Sequence, residues 1–241
     1  MVGSGVRWPD WRRDVFGDPY LVWHDGPDFT RLLTVARDEH EHEGGGEHEG
    51  EGEGGRATVA RMLAAGIAEA DPLAAESIAV LADDGLAPPD AEVLLRAVLP
   101  TASGTFLVRV AQALHVLTGD EAWAEQIASV LAEGAHWGDR IDAGMALVGF
   151  APTPRLVDAL ALAVRERHYL VRYHAANTLL RYAGRRPDVA THPALFALIS
   201  AGDDDTEPDA EVTAQRAEAA RQLATATAAA LSRKSVDLGD S

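Results

Sequence analysis

An all-α fold of stacked helical hairpins, an α-solenoid, is what this sequence of 241 residues predicts, on three observations. A helical motif recurs every 31 or 32 residues. The apolar positions follow the 3.6-residue period, with no sustained period-two run of β-branched residues. Proline and glycine fall in the intervals between periodic segments, where they end one helix and admit the next.

The hydrophobic fraction of 47% suffices for a buried core and excludes a wholly disordered chain. The absence of cysteine removes disulfides, thiolate nucleophiles and thiolate metal centres. No apolar leader core stands in the first twenty residues, and no stretch nears the roughly 18 apolar residues of a membrane span, so a soluble cytoplasmic protein without membrane association is expected. The net charge of −17 is local in origin. Eight acids lie between Asp38 and Glu53 and six between Asp203 and Glu211, and removing these fourteen leaves about −3 for the rest. Global repulsion of nucleic acid is therefore not implied.

In chain order, residues 1–37 form an aromatic-rich segment. Trp8, Trp11, Phe16, Tyr20 and Trp23 are too dense for a free tail and are expected to pack on the first hairpin; Phe29 to Arg37 is expected as a short amphipathic helix. Residues 38–56, a Gly/Glu/His tract, are expected to be a disordered solvated loop. His40, His42 and His48 are metal-ligand types, but nothing fixes a geometry and the glycines make ordering costly, so no metal and no cofactor are assigned. Residues 57–231 form the repeat domain. Its first hairpin is Val59–Ala70 and Pro72–Ala82. Three arginine-anchored helices follow: RVAQALHVLTG from Arg109, RIDAGMALVGF from Arg140 and RYHAANTLLRYAG from Arg172. Four positions after each anchor stands Ala113, Gly144 or Ala176. Seven and eight positions after stand Val116 and Leu117, Leu147 and Val148, Leu179 and Leu180. Small at +4 with apolar at +7 and +8 marks one face in close helical contact. Their predecessors are Ala91–Leu99, Ala122–Leu131 and Arg155–Val164. Pro193–Ala201 and Ala210–Leu231 close the array, the latter a polar cap, and residues 232–241 are expected to be a flexible tail.

The segments VRVAQALHVL, DRIDAGMALV and VRYHAANTLLRYAG resemble the second helix of HEAT-like repeats, especially the short variety of phycobilin-lyase-type repeat proteins. Asp139 stands where the usual valine precedes the arginine, and Asn177 takes the place of Leu114 and Met145. The resemblance implies a right-handed solenoid of about four to five hairpins. It is specific for fold and nearly silent on activity, because such families include protein-binding scaffolds, bilin lyases and alkylpurine DNA glycosylases.

Three groups of residues bear on function. Arg109, Arg140 and Arg172 share the anchor position, which assigns them structural roles. His174, Asn177, Thr178 and Arg181 share one helix face, and their equivalents in the other repeats differ in type. A face that does not repeat while the packing face does is free to vary, so His115, Asp142, His174, Asn177 and Arg181 are candidate partner-binding residues, and the resemblance to HEAT-like repeats implies that this face lines the concave wall. Between 165 and 186 six arginines face one acid, a net +5. Arg165, Arg167, Arg185 and Arg186, interleaved with His168, Tyr169 and Tyr173, are candidate phosphate-binding residues. No catalytic residue is assigned: phosphate loop, nucleophile elbow and helical HExxH motif are absent, and Asp142 with His174 is only a formal base and orienter. Asp139 beside Trp137 resembles the carboxylate and aromatic of HEAT-like DNA glycosylases. The expectation is a non-catalytic module that binds a protein or peptide, with nucleic-acid binding or glycosylase activity through residues 165–186 as the alternative.

Overall fold

The computed structural model describes residues 7–18, 22, 26–37 and 55–239, with side chains through residue 233. The histidine and glutamate tract, Tyr20 and Trp23 lie outside the described residues. Among the described residues there are twelve α-helices and no strand. They fall into two compact units, one of residues up to Ala102 with Gln112–Asp120, the other of Ser103–Ala111 with the chain from Glu121 onward. The sequence reading treats residues 57–231 as one domain; the division falls inside it, within one helix.

The first unit begins with α1 (Trp8–Phe16), a helix where the sequence showed only aromatic density. Pro9 suits its first turn, and Gly17, at φ +90°, ends it with its N–H on Arg13 O. α2 (Thr30–Arg37) starts where the Asp28 carboxylate accepts the Thr30 N–H at 2.9 Å. α3 (Gly55–Ala68) and α4 (Pro72–Asp83) are joined by a turn through Ala70 and capped by Asp71, which accepts the Leu73 N–H. The other oxygen of Asp71 takes the Trp8 indole N–H at 2.9 Å and lies 3.4 Å from Arg12. Trp8 is 2% exposed and sits over Gly66, where a Cβ would lie 2.6 Å from the indole and 2.7 Å from Ala74 Cβ. The glycine thus creates the space that holds α1 on the α3–α4 corner. Trp11, Phe16 and Phe29 extend the aromatic contacts edge to face. α5 (Ala91–Val98) packs on α3.

α6 (Gly104–Thr118) contributes its first half to the second unit and its last to the first. In the second unit follow α7 (Ala124–Glu133), α8 (Trp137–Ala146), α9 (Pro154–Ala163), α10 (Tyr169–Tyr182), α11 (Pro193–Ile199) and α12 (Ala210–Gly239). α12 runs past residue 231, where the sequence reading placed a tail. Short turns join α7 to α8 and α9 to α10; α7 packs on α9 and α8 on α10, so matching members of successive hairpins lie side by side. The core between them contains Ile127, Leu131, Leu147, Leu160, Val164, Ala175 and Leu179.

The small residues at +4, Ala113, Gly144 and Ala176, are all buried. The apolar pair at +7 and +8 is less uniform. Leu179 and Leu180 are both inside, Leu147 is inside with Val148 43% exposed, and Val116 is 37% exposed. For Val148 the cause is visible after α8, where Leu147–Gly149 tighten into a 3₁₀ turn. Three residues per turn instead of 3.6 swing Val148 away from the core.

Candidate functional site

In the second unit the candidate partner-binding residues stand on α8 (Asp142) and α10 (His174, Asn177, Arg181). At the start of α6, Asp139 accepts the Thr105 N–H at 3.0 Å and its hydroxyl at 2.9 Å, while Asp142 lies 2.6 Å from the same hydroxyl. Gly104, at φ +55°, makes room: a Cβ there would be 2.7 Å from Asp139 Oδ2. Both carboxylates therefore act as anions on a helix N-terminus that lacks its own cap. Asp139 is occupied in this way and is not presented as a catalytic carboxylate.

α10 begins in the same manner. The Tyr169 N–H donates to both oxygens of Asp204, at 2.9 and 2.8 Å, from the loop between α11 and α12. Arg167 donates from Nε to Asp204 O at 2.6 Å and lies 3.4 Å from Glu207. The acidic loop thus folds against the basic stretch, and a carboxylate holds the helix N-terminus that a phosphate would take.

Arg172, with none of its surface exposed, donates to Ile199 O at 2.8 Å, to Glu166 O at 2.9 Å and to Arg167 O, and lies 3.4 Å from Asp204. Arg216, 1% exposed, bonds Ala201 O and Glu166 O. The Glu166 carboxylate pairs with Arg140 at 2.6 Å, and Arg140 Nε donates to Leu131 O. Arg140, Glu166, Arg172 and Arg216 form a ladder of guanidinium groups linked through one residue's carboxylate and carbonyl. Burial, and then the charge of Arg216, draws the Arg172 pKa downward. Arg109 is half-buried in α6.

Of the candidate partner-binding residues, His174 is half-buried and meets the Tyr173 ring edge to face at 5.3 Å. Burial lowers its pKa, opposed by the charge of Asp142. No hydrogen bond or ion pair joins Asp142 to His174 among the described residues, so the base and orienter do not form. Asn177 Oδ1 accepts the Val189 N–H at 2.8 Å and holds the turn after α10. Thr178 beside it bonds Gly144 O, fastening α10 to α8. Arg181 is exposed. His115 belongs to the first unit, with Nδ1 3.1 Å from Asp120 O. Arg165, Arg185 and Arg186 are exposed, and these three with Arg181 have no bonded side-chain partner among the described residues.

The sequence reading missed an apolar set on the same helices. Trp137 is 55% exposed, Met145 51%, Val148 43% and Leu170 38%. Trp137 stacks on His168 with ring centroids 4.4 Å apart and planes 8° from parallel. His168 Nδ1 is buried without a hydrogen-bond partner among the described residues. Helical spacing alone did not reveal Met145, because Leu114, at the matching position, is fully buried.

Among the described residues no group of three or more His, Asp or Glu side chains is placed to hold a metal ion, and no helix is long and apolar enough to cross a membrane. No family model, curated protein or solved structure matches the chain.

Proposed function

We propose that the chain is a HEAT-like right-handed α-solenoid of four to five hairpins. In this reading it is a non-catalytic interaction module whose second unit binds a protein or peptide on the face of α8 and α10. The observation that carries the reading is Trp137, stacked on His168 and more than half exposed, with Met145 on α8, Val148 in the turn after it and Leu170 on α10. Tryptophan and methionine are enriched at interface centres, and large exposed apolar side chains on neighbouring helices are what a contact surface would offer. Asp142, His174 and Arg181 supply the polar positions around them.

The test is affinity capture from cells expressing the protein, using wild type and a Trp137→Ser, Met145→Ser, Leu170→Ser triple variant of unchanged helicity. All three side chains are substantially exposed, so the fold should tolerate the changes. Loss of the captured partner is expected. Equal recovery by both proteins overturns the proposal.

Nucleic-acid binding is the second reading, favoured by the exposed side chains of Arg165, Arg181, Arg185 and Arg186, which have no bonded side-chain partner among the described residues. Four phosphate contacts would give a slope of log affinity against log salt of about −3.6 on duplex DNA. A flat response, or no binding at low salt, removes this alternative.

A further inference from the structure

Where α10 ends, a cleft of about 280 Å³ opens between the turn after α10, α11 and α12, lined by Arg185, His192, Gln222, Pro193, Leu195 and Leu223. Small-molecule sites usually run from about 300 to 1,000 Å³, so this one suits a group the size of one or two side chains better than a cofactor. Its apolar wall is firm, since Leu195 and Leu223 are 8% and 2% exposed as parts of the core. Its polar groups are held in place. His192 Nε2 lies 3.3 Å from Arg186 O, and Gln222 donates to Glu218 Oε1 at 2.8 Å.

The segments that line this cleft carry a net positive charge, with Arg181, Arg185, Arg186 and Arg221 against Asp188 and Glu218. Arg185 lines the cleft, and Arg181 and Arg186 stand within six residues of chain with it, none of the three with a bonded side-chain partner among the described residues. The two acids in these segments are held by hydrogen bonds and are outnumbered by the arginines. Asp188 accepts from the Tyr173 hydroxyl and the Ala190 N–H, and Glu218 is bound by Arg221 and Gln222. An apolar wall with a cationic rim recognises an anion beside a greasy group, and a guanidinium fork matches a carboxylate in two-point geometry.

We propose that this cleft binds an acidic linear peptide, seating one bulky apolar side chain against Leu195 and Leu223 while an adjacent carboxylate pairs with Arg185. The site includes none of Trp137, Met145 or Leu170 and stands independently of the α8 and α10 face.

Three fluorescein-labelled ten-residue peptides test it, each with a glutamate followed by leucine, phenylalanine or tryptophan in a Gly/Ser background, read by anisotropy against the full chain. At least one should bind saturably and weaken as salt rises. Binding should fall at least about tenfold with Arg185→Glu, and less with Arg185→Gln, which keeps the stem. Replacing the peptide's glutamate by glutamine should cause a loss of the same order, and the Trp137, Met145, Leu170 triple variant should bind as wild type does. Arg185 is exposed, so a circular dichroism spectrum like wild type is expected for both variants. Failure of all three peptides to bind overturns the proposal. So does undiminished binding by Arg185→Glu, or by the glutamine peptides.

Discussion

The corner around Trp8 in the first unit and the arginine ladder of the second join helices by opposite physical means. At the corner one indole is buried over a glycine, and its N–H meets a carboxylate that already caps α4. In the ladder, two guanidinium groups with almost no exposed surface are held by main-chain carbonyls of several turns. The first contact gains from removing apolar surface from water and fails when the shape changes. The second gains little from burial as such and fails when a donor is lost, because buried acceptors are left without partners. The two units should therefore be broken by different classes of substitution.

The largest effects are expected from removing each centre. Arg172→Met keeps much of the volume but strips the donors from Ile199 O, Glu166 O and Arg167 O, and should cost about 3–5 kcal/mol. Trp8→Ala should cost a similar amount, about 3–5 kcal/mol, as a large buried ring is lost. Native-state hydrogen exchange separates the two. Arg172→Met should loosen amides of α10 and α12 first, and Trp8→Ala those of α3 and α4. If both variants lower protection evenly along the chain, the contrast between the units is wrong.

Smaller changes probe shape alone. Gly66→Ala sets a methyl group into the Trp8 ring and Ala74, and should destabilise by about 1–3 kcal/mol, although alanine is the better helix former. Gly144 is the useful contrast, since a Cβ there would meet Leu131 and the Ala175 N at 3.7 and 3.8 Å, ordinary contact distances. Gly144→Ala should therefore raise stability by up to about 1 kcal/mol, whereas Ala176→Leu should overpack the α8 to α10 contact at a cost of about 1–3 kcal/mol. Thermal unfolding reads all three. A midpoint raised by Gly66→Ala would show that the indole is not seated on that glycine.

The helical character and the hairpin spacing were legible because Arg109, Arg140 and Arg172 keep a 31 or 32 residue interval on successive second helices. Arg216 plays the same kind of part but stands 44 residues after Arg172, because the acidic loop is inserted before α12, and a fixed-period search passes over it. The candidate site was less legible. The charge reversal at 165–186 was plain in the sequence, but its partner, Asp204, lies 35 residues from Tyr169 and meets it only through folding. Asn177 read as a surface group because nothing local indicates that Val189 N–H needs an acceptor. The exposure of Val148 depends on a 3₁₀ turn, which the apolar pattern does not encode.

The smallest expected effect concerns His174, which separates burial from charge pairing within the second unit. Burial holds its pKa below the ordinary 6.5, and the neighbouring carboxylate of Asp142 recovers only part of the shift. The imidazole is then neutral in the folded protein at pH 7. As pH falls through 6.5 the unfolded chain takes up this proton first, so the folded state loses stability below that pH until the folded imidazole itself protonates. Above 6.5 the contribution is complete. Because the chain has nine histidines, the measurement is the stability difference between wild type and His174→Phe across that window, together with the NMR titration of the His174 ring. The difference should shift in favour of the phenylalanine variant as pH drops, and the ring should titrate below 6.5. Asp142→Asn should lower the midpoint further by removing the opposing charge. A midpoint above 6.5 would mean that the carboxylate outweighs burial, and the contribution of His174 to stability would then grow, not shrink, as pH falls.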